Sequence, residues 1–162
     1  MTIRQVKVED APAIARIYNH YIATSIATFE EQPVSESEIA QRITKTLALN
    51  YPYIVCVENL EIIGYAYANV WRNRSAFDIT LETSVYIEPH QTGKSIGHLL
   101  YDELIKKSRE IGIHSLIGVI SIPNEASRKL HQKFQFCLVG TFREVGKKFG
   151  KLIDVEFWQL IL

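Results

Sequence analysis

Residues 91–107 read QTGKSIGHLLYDELIKK. Before them, Ile79, Leu81, Thr83, Val85 and Ile87 share one face and Thr80, Glu82, Ser84 and Tyr86 the other, which predicts a strand over Ile79–Glu88. Pro89 ends it, because proline cannot donate to a ladder. After them, Leu99, Leu100, Leu104 and Ile105 mark an amphipathic helix that closes near Gly112. Strand, short glycine-containing loop and helix together outline an anion site. Loop and first-turn amides converge there, and the helix dipole adds positive potential. Gly93 and Gly97 permit close backbone approach, and Lys94 is an available cation. A tight turn with one exposed lysine is the alternative. Gly93-Lys94-Ser95 also looks like the end of a Walker A loop, but the glycine needed five positions earlier is Glu88. The dinucleotide pattern G-x-G-x-x-G is absent as well.

Working outward, residues 2–6 predict a first strand. Asp10 is placed to cap a helix from Ala11 to about Tyr21, and Ser35 and Glu38 form a capping box for a second helix to about Leu49. Tyr53–Val57 and Ile62–Val70 read as a hairpin, followed by the loop WRNRSAFD. Leu116–Ile122 is a strand, and Asn124 caps a helix to about Phe134. Phe136–Arg143, a turn around Gly146–Gly150, and Leu152–Ile161 close the chain. The order β-α-α-β-β-β-α-β-α-β-β predicts an α/β (mixed α+β) fold with helices on both faces of a mixed sheet.

At 162 residues, with no linker or low-complexity tract, the chain is expected to be a single domain over 1–162. Eighteen basic residues balance eighteen acidic ones, which argues against a nucleic-acid partner. No apolar run is long enough for a membrane span, and the N-terminus lacks an apolar signal core. Cys56 and Cys137 sit in apolar runs and read as buried free thiols, as in a reducing compartment, so a cytoplasmic location is expected.

Thr92-Gly93-Lys94-Ser95-Ile96-Gly97 resembles motif A of the GCN5-related N-acetyltransferases (GNAT), Q/R-x-x-G-x-G/A. Thr92 and Ser95 depart from the usual Gln/Arg and glycine. Residues 124–136, NEASRKLHQKFQF, resemble the second motif, N-x-x-A/S-x-x-L-Y-x-K-x-G-F, with His131 for tyrosine and Gln135 for glycine. Together with NHYI (19–22), ETSVYI (82–87), HLLY (98–101), IPN (122–124) and DVEFWQ (154–159), they resemble the phosphinothricin and methionine sulfoximine acetyltransferase branch over residues 2–160. The resemblance implies a GNAT fold: a twisted, mostly antiparallel sheet of about seven strands and about four helices. It also implies acetyl-CoA as co-substrate, no metal, a small amino-acid-like acceptor and a homodimer.

Acyl transfer to an amine needs a base for the amine proton, a donor for the thioester oxygen and a proton for the leaving thiolate. Glu82 is a carboxylate inside a β-run, either a charge turned to solvent or a functional group. The resemblance makes it the general base. It also gives His131 a share in proton handling or substrate orientation, and which of the two takes the amine proton stays open. By the same likeness, Val85, Tyr86 and Ile87 meet the pantetheine arm, and Gly93, Lys94, Ser95, Ile96, Gly97 and His98 surround the diphosphate. Asn124 and Lys133 are further cofactor contacts, and Asn124 equally suits a plain N-cap. Tyr101 is either a cofactor contact or core. Arg72 and Arg74 are either solvated surface charge or a fork suited to a carboxylate or phosphinate; the resemblance places the acceptor's carboxylate contacts in this loop, with Arg74 the stronger match, and Tyr86 beside the acceptor. Phe29 and Phe77 read as core. The competing readings are a protein N-terminal or lysine acetyltransferase and a CoA-binding protein without catalysis.

Overall fold

Strands β1 (Thr2–Gln5), β2 (Tyr53–Glu58), β3 (Glu61–Val70), β4 (Thr80–Ile87), β5 (Ser115–Ile122), β6 (Cys137–Lys148) and β7 (Lys151–Ile161) form one sheet, in the order β1-β2-β3-β4-β5-β7-β6. The computed structural model describes every residue from Met1 to Leu162. Only β4 and β5 run parallel; every other neighbouring pair is antiparallel. Helices α1 (Ala11–Thr24) and α2 (Glu36–Ala48) cover one face, burying Ile14, Ile17, Ile39 and Ile43 against Val55, Tyr65 and Tyr86. Helices α3 (Ile96–Glu110) and α4 (Glu125–Lys133) cover the other. There Leu100, Leu104 and Ile105 pack on Leu81, Leu116 and Trp158, with Leu130 of α4 at the margin. The mixed, mostly antiparallel sheet with two helices on each face is as expected.

The β4–β5 junction positions the site. Parallel pairing lasts from Thr80 opposite Ser115 to Thr83 opposite Gly118. Beyond it β4 pairs only with β3, up to Ile87, and β5 only with β7, up to Ile122. The two strands part into a wedge, leaving backbone groups on both lips without a neighbouring strand.

Several local expectations are corrected. Asp10 does not cap α1: its carboxylate takes Arg4 at 2.7 and 2.8 Å and the Lys7 amide at 2.7 Å, closing a short 3-10 turn before the helix. Ser35 does cap α2, accepting from the Glu38 amide at 3.1 Å, but the Glu38 carboxylate reaches Arg42 instead of completing a box. Helix α1 runs three residues past Tyr21, to Thr24. Strand β6 continues to Lys148, because register shifts after Leu138 and Phe142 absorb extra residues and the turn contracts to Phe149–Gly150. As the sheet's outer strand it leaves Cys137 exposed, contrary to the apolar run around it. Phe29 and Phe77 are also more than a third exposed: Phe29 lies in the connection between α1 and α2, and Phe77 ends a 3-10 turn between β3 and β4.

Candidate active site

The wedge is a cleft of 440 Å³ lined by residues of β4, the 92–98 loop, α3, β5 and α4. Strand β4 contributes Thr83–Ile87, and the loop contributes Thr92, Gly93 and Ser95–His98. None of the backbone amides from Thr92 to His98 donates to another protein group. That leaves a run of free N–H donors at the N-terminus of a fifteen-residue helix. Gly93 (φ 82°) and Ser95 (φ 61°) hold left-handed backbone that turns the loop into this shape. Serine at the second position accepts strain that glycine would not. The Nδ1 atom of His98 is buried without a protein partner while its ring stacks on Phe134 at 4.8 Å.

Alternation along β4 separates the two candidate proton-handling groups. Glu82 projects to the α1/α2 face with Ser84 and Tyr86, whereas Thr83 projects to the α3/α4 face with His131. Glu82 lies one rung from the end of the parallel pairing, opposite Asn69 of β3 and Ile117 of β5. Burial alone raises its carboxyl above the ordinary 4.5. Nothing pairs with it, so a carboxylate there remains free to accept a proton.

His131 is 4% exposed. Its Nδ1 lies 2.8 Å from the Ser127 carbonyl and its Nε2 lies 2.8 Å from the Tyr101 hydroxyl. The hydroxyl in turn lies 2.6 Å from Thr83 Oγ1. Burial pushes the imidazole below its ordinary 6.5, partly offset by the bond to Ser127. The expected partnership of His131 with Glu82 is therefore not direct.

The remaining expected residues divide. Val85, Tyr86, Ile87, Gly93, Ser95, Ile96, Gly97, His98 and Asn124 all line the cleft. Asn124 also caps α4, its Oδ1 accepting from the Ser127 amide at 3.1 Å. Lys94 is exposed outside the lining, and its ammonium donates to Gln91 at 2.7 Å. Lys133 is exposed too: two positions on from His131, helical geometry turns it about 200° away from the cleft. Arg72 and Arg74 are exposed and free of ion pairs; Arg72 lies over the Trp71 ring at 5.4 Å. Their loop leaves the sheet at Val70, next to the Asn69–Glu82 rung.

Sequence reasoning missed Tyr21, Thr83, Gly118 and Ser127. Tyr21 donates to the Ile87 carbonyl at 2.7 Å across the cleft, which occupies one lone pair of a group expected to face a cofactor. A glycine inside the apolar run LIGVI was a legible mark of close approach at Gly118. No group of three or more His, Cys, Asp or Glu side chains is arranged to hold a metal, and no helix is long and apolar enough to cross a membrane.

A free-amide loop at a parted parallel pair, with one unpaired carboxylate beside it, invites comparison with known proteins. The family model described as an acetyltransferase (GNAT) domain matches residues 3–157. The chain belongs to this family. It is 39% identical to an L-amino acid N-acyltransferase of Escherichia coli, over 100% of this chain and 94% of that protein. It is also 39% identical to a phosphinothricin N-acetyltransferase of Alcaligenes faecalis, over 98% of this chain and 81% of that one. Among solved structures, a phosphinothricin acetyltransferase of Sinorhizobium meliloti in complex with acetyl-CoA superposes with a TM-score of 0.97. It is 36% identical and covers 99% of this chain and 88% of its own.

Proposed function

We propose that this GNAT chain transfers an acetyl group from acetyl-CoA to the α-amino group of an L-amino acid or amino-acid analogue, with Glu82 as general base. The unpaired, half-buried Glu82 carboxylate beside the parting of β4 and β5 carries the reading. Its raised proton affinity suits removal of a proton from an amine.

The cleft fits the acetyl donor on two observations: the free amides of Thr92–His98 suit a diphosphate, and the orphaned His98 Nδ1 calls for a ligand atom. The unpaired lip of β4, Ser84–Ile87, suits the amide-bearing arm. When bound, the thioester supplies an activated acetyl group. Asn124 and the first turn of α3 would hold and orient it, while Tyr86 and Tyr21 exclude water from the α1 side. Glu82 takes the amine proton from the α1/α2 face. His131, on the opposite face, handles the proton due at the sulfur.

Arg72 and Arg74 supply the acceptor's anion contact: they leave the sheet beside Glu82 and no acidic side chain neutralises them. Names of the two relatives place amino acids and phosphinothricin among the acceptors of those proteins. The homodimer proposed here uses the outer hairpin, where Leu138, Val139, Phe142 and Val145 are about half exposed or more. Two free thiols, one of them exposed, suit a reducing compartment, and the proposed location is the cytoplasm.

The test is thiol release from acetyl-CoA with a panel of amino acids, methionine sulfoximine, methionine sulfone and phosphinothricin, set beside a panel of peptides. Turnover with the small acceptors supports the proposal. Turnover with peptides alone overturns it.

A further inference from the structure

The His131 imidazole has no free nitrogen. A carbonyl can only accept, so the 2.8 Å contact with the Ser127 carbonyl requires a proton on Nδ1. In the neutral ring Nε2 is then an acceptor, and the Tyr101 hydroxyl 2.8 Å away must donate to it. Tyr101 has one proton to give, so Thr83 Oγ1, 2.6 Å from the phenol oxygen, donates to Tyr101. Thr83 is also 3.2 Å from the Ile117 carbonyl. These three side chains, from α3, α4 and β4, are 1%, 4% and 6% exposed, so each polar group depends on the others.

The same atoms satisfy the protonated ring. Nε2–H then donates to the Tyr101 oxygen, the Tyr101 proton turns to Thr83, and the Thr83 proton turns to the Ile117 carbonyl. Every donor has an acceptor in both states, and only hydroxyl protons rotate. No carboxylate bonds to the ring. Glu156 of β7 is committed to Arg128 of α4 and to Trp158, and Glu82 lies on the far face of the sheet. Phe136 and Trp158 close the remaining sides.

We propose that Tyr101, backed by Thr83, is a positioning residue for His131: the Ser127 carbonyl sets the ring's tautomer, while the Tyr101 hydroxyl holds its orientation and reverses direction so that a buried imidazole can still gain and lose a proton. The proposal rests on the assignment of proton handling to His131. It goes beyond that assignment by saying what lets a nearly inaccessible histidine in the cleft wall do so. Without the hydroxyl, the neutral ring loses a donor to Nε2, whereas the charged ring is left with a buried Nε2–H that has no acceptor, and the charged form suffers more.

Two variants and one spectroscopic readout test it. Tyr101→Phe keeps the ring packing and removes the chain. It lowers kcat by about ten- to a hundredfold, leaves KM for acetyl-CoA within a factor of about two, and moves the limb of the pH–rate profile that reports His131 to lower pH. Thr83→Val moves the same limb in the same direction, and Thr83→Ser restores it. Imidazole nitrogen shifts of His131 from NMR show the Nδ1–H tautomer in both proteins, held by the Ser127 carbonyl, with the Nε2 shift displaced in Tyr101→Phe by loss of the phenol donor. An unchanged Nε2 shift and an unmoved limb in a folded Tyr101→Phe variant overturn the proposal. Should the Nε2 shift change while His131→Asn retains full kcat, the hydrogen-bond chain stands and the assignment of proton handling to His131 falls instead.

Discussion

A Cβ placed on Gly118 would lie 2.2 Å from His131 Nε2. The imidazole thus rests directly on the backbone of β5, at the last rung shared with β4. Gly118→Ala must displace the ring or the strand. Overpacking of this kind costs about 1–3 kcal/mol and breaks the bond to Tyr101. The expected outcome is a lower melting temperature together with a fall in kcat. Combining it with His131→Ala removes the obstruction, so the double variant is more stable than the sum of the singles, a coupling that a double-mutant cycle in denaturant measures.

Glu82→Gln separates activity from stability. Loss of the base lowers kcat by about a hundred- to ten-thousand-fold. A carboxyl whose folded value is raised above 4.5 favours folding when protonated, and that contribution is lost as pH rises through the folded value. At mildly alkaline pH the charged Glu82 therefore weakens the fold, and the glutamine variant melts higher. Below the ordinary carboxyl value the two melt together. The wild-type rate climbs with pH through the same raised value, and the variant's residual rate does not.

Ser95 holds φ 61° and ψ 12° at the entrance to α3. Left-handed backbone costs a non-glycine residue roughly 1–2 kcal/mol. Glycine's extra freedom in the unfolded chain returns about 0.4–1 kcal/mol of that. Ser95→Gly is expected to raise the melting temperature by about 2 °C and to hold or tighten acetyl-CoA, read by calorimetry. A lower melting temperature would mean that the serine hydroxyl stabilises the loop more than its backbone strains it.

Lys148 is 2% exposed, and its ammonium donates to the carbonyls of Ser25 and Thr28 at 2.8 and 2.7 Å. It moors the α1–α2 connection, whose Ala27 lines the cleft and whose Ile26 carbonyl accepts from Ser121 of β5. Lys148→Met leaves two carbonyls without their donor, at about 1–3 kcal/mol. The expected signature is a several-fold loss of kcat/KM for the acceptor with KM for acetyl-CoA unchanged, measured by varying each substrate in turn.

Local punctuation made much of this legible. Pro89, Gly93 and Gly97 bracket the loop, Asn124 marks the start of α4, and a glutamate inside ITLETSVYIE shows itself as out of place. What escaped depends on distant pairing. Tyr101 and Thr83 look like ordinary members of an amphipathic helix and a strand, and only the packing of α3 against β4 and α4 brings their hydroxyls to one imidazole. The inward turn of Asp10 toward Arg4 needs β1 in place before it can outcompete capping. The exposure of Cys137 follows from β7 lying inside β6 in the sheet, an order that no local pattern records. Lys133 looked equal to its neighbours along the chain until the phase of α4 was set by His131 and Leu130.

The parting of β4 and β5 has a mechanical side. Four rungs of backbone join β1–β4 to β5–β7 at this seam, and α3 packs across it against side chains of both halves. A donor lying in the seam would act as a splint. Amide hydrogen exchange should then slow not only along the lips of β4 and β5 but in strands of both halves that the donor never touches.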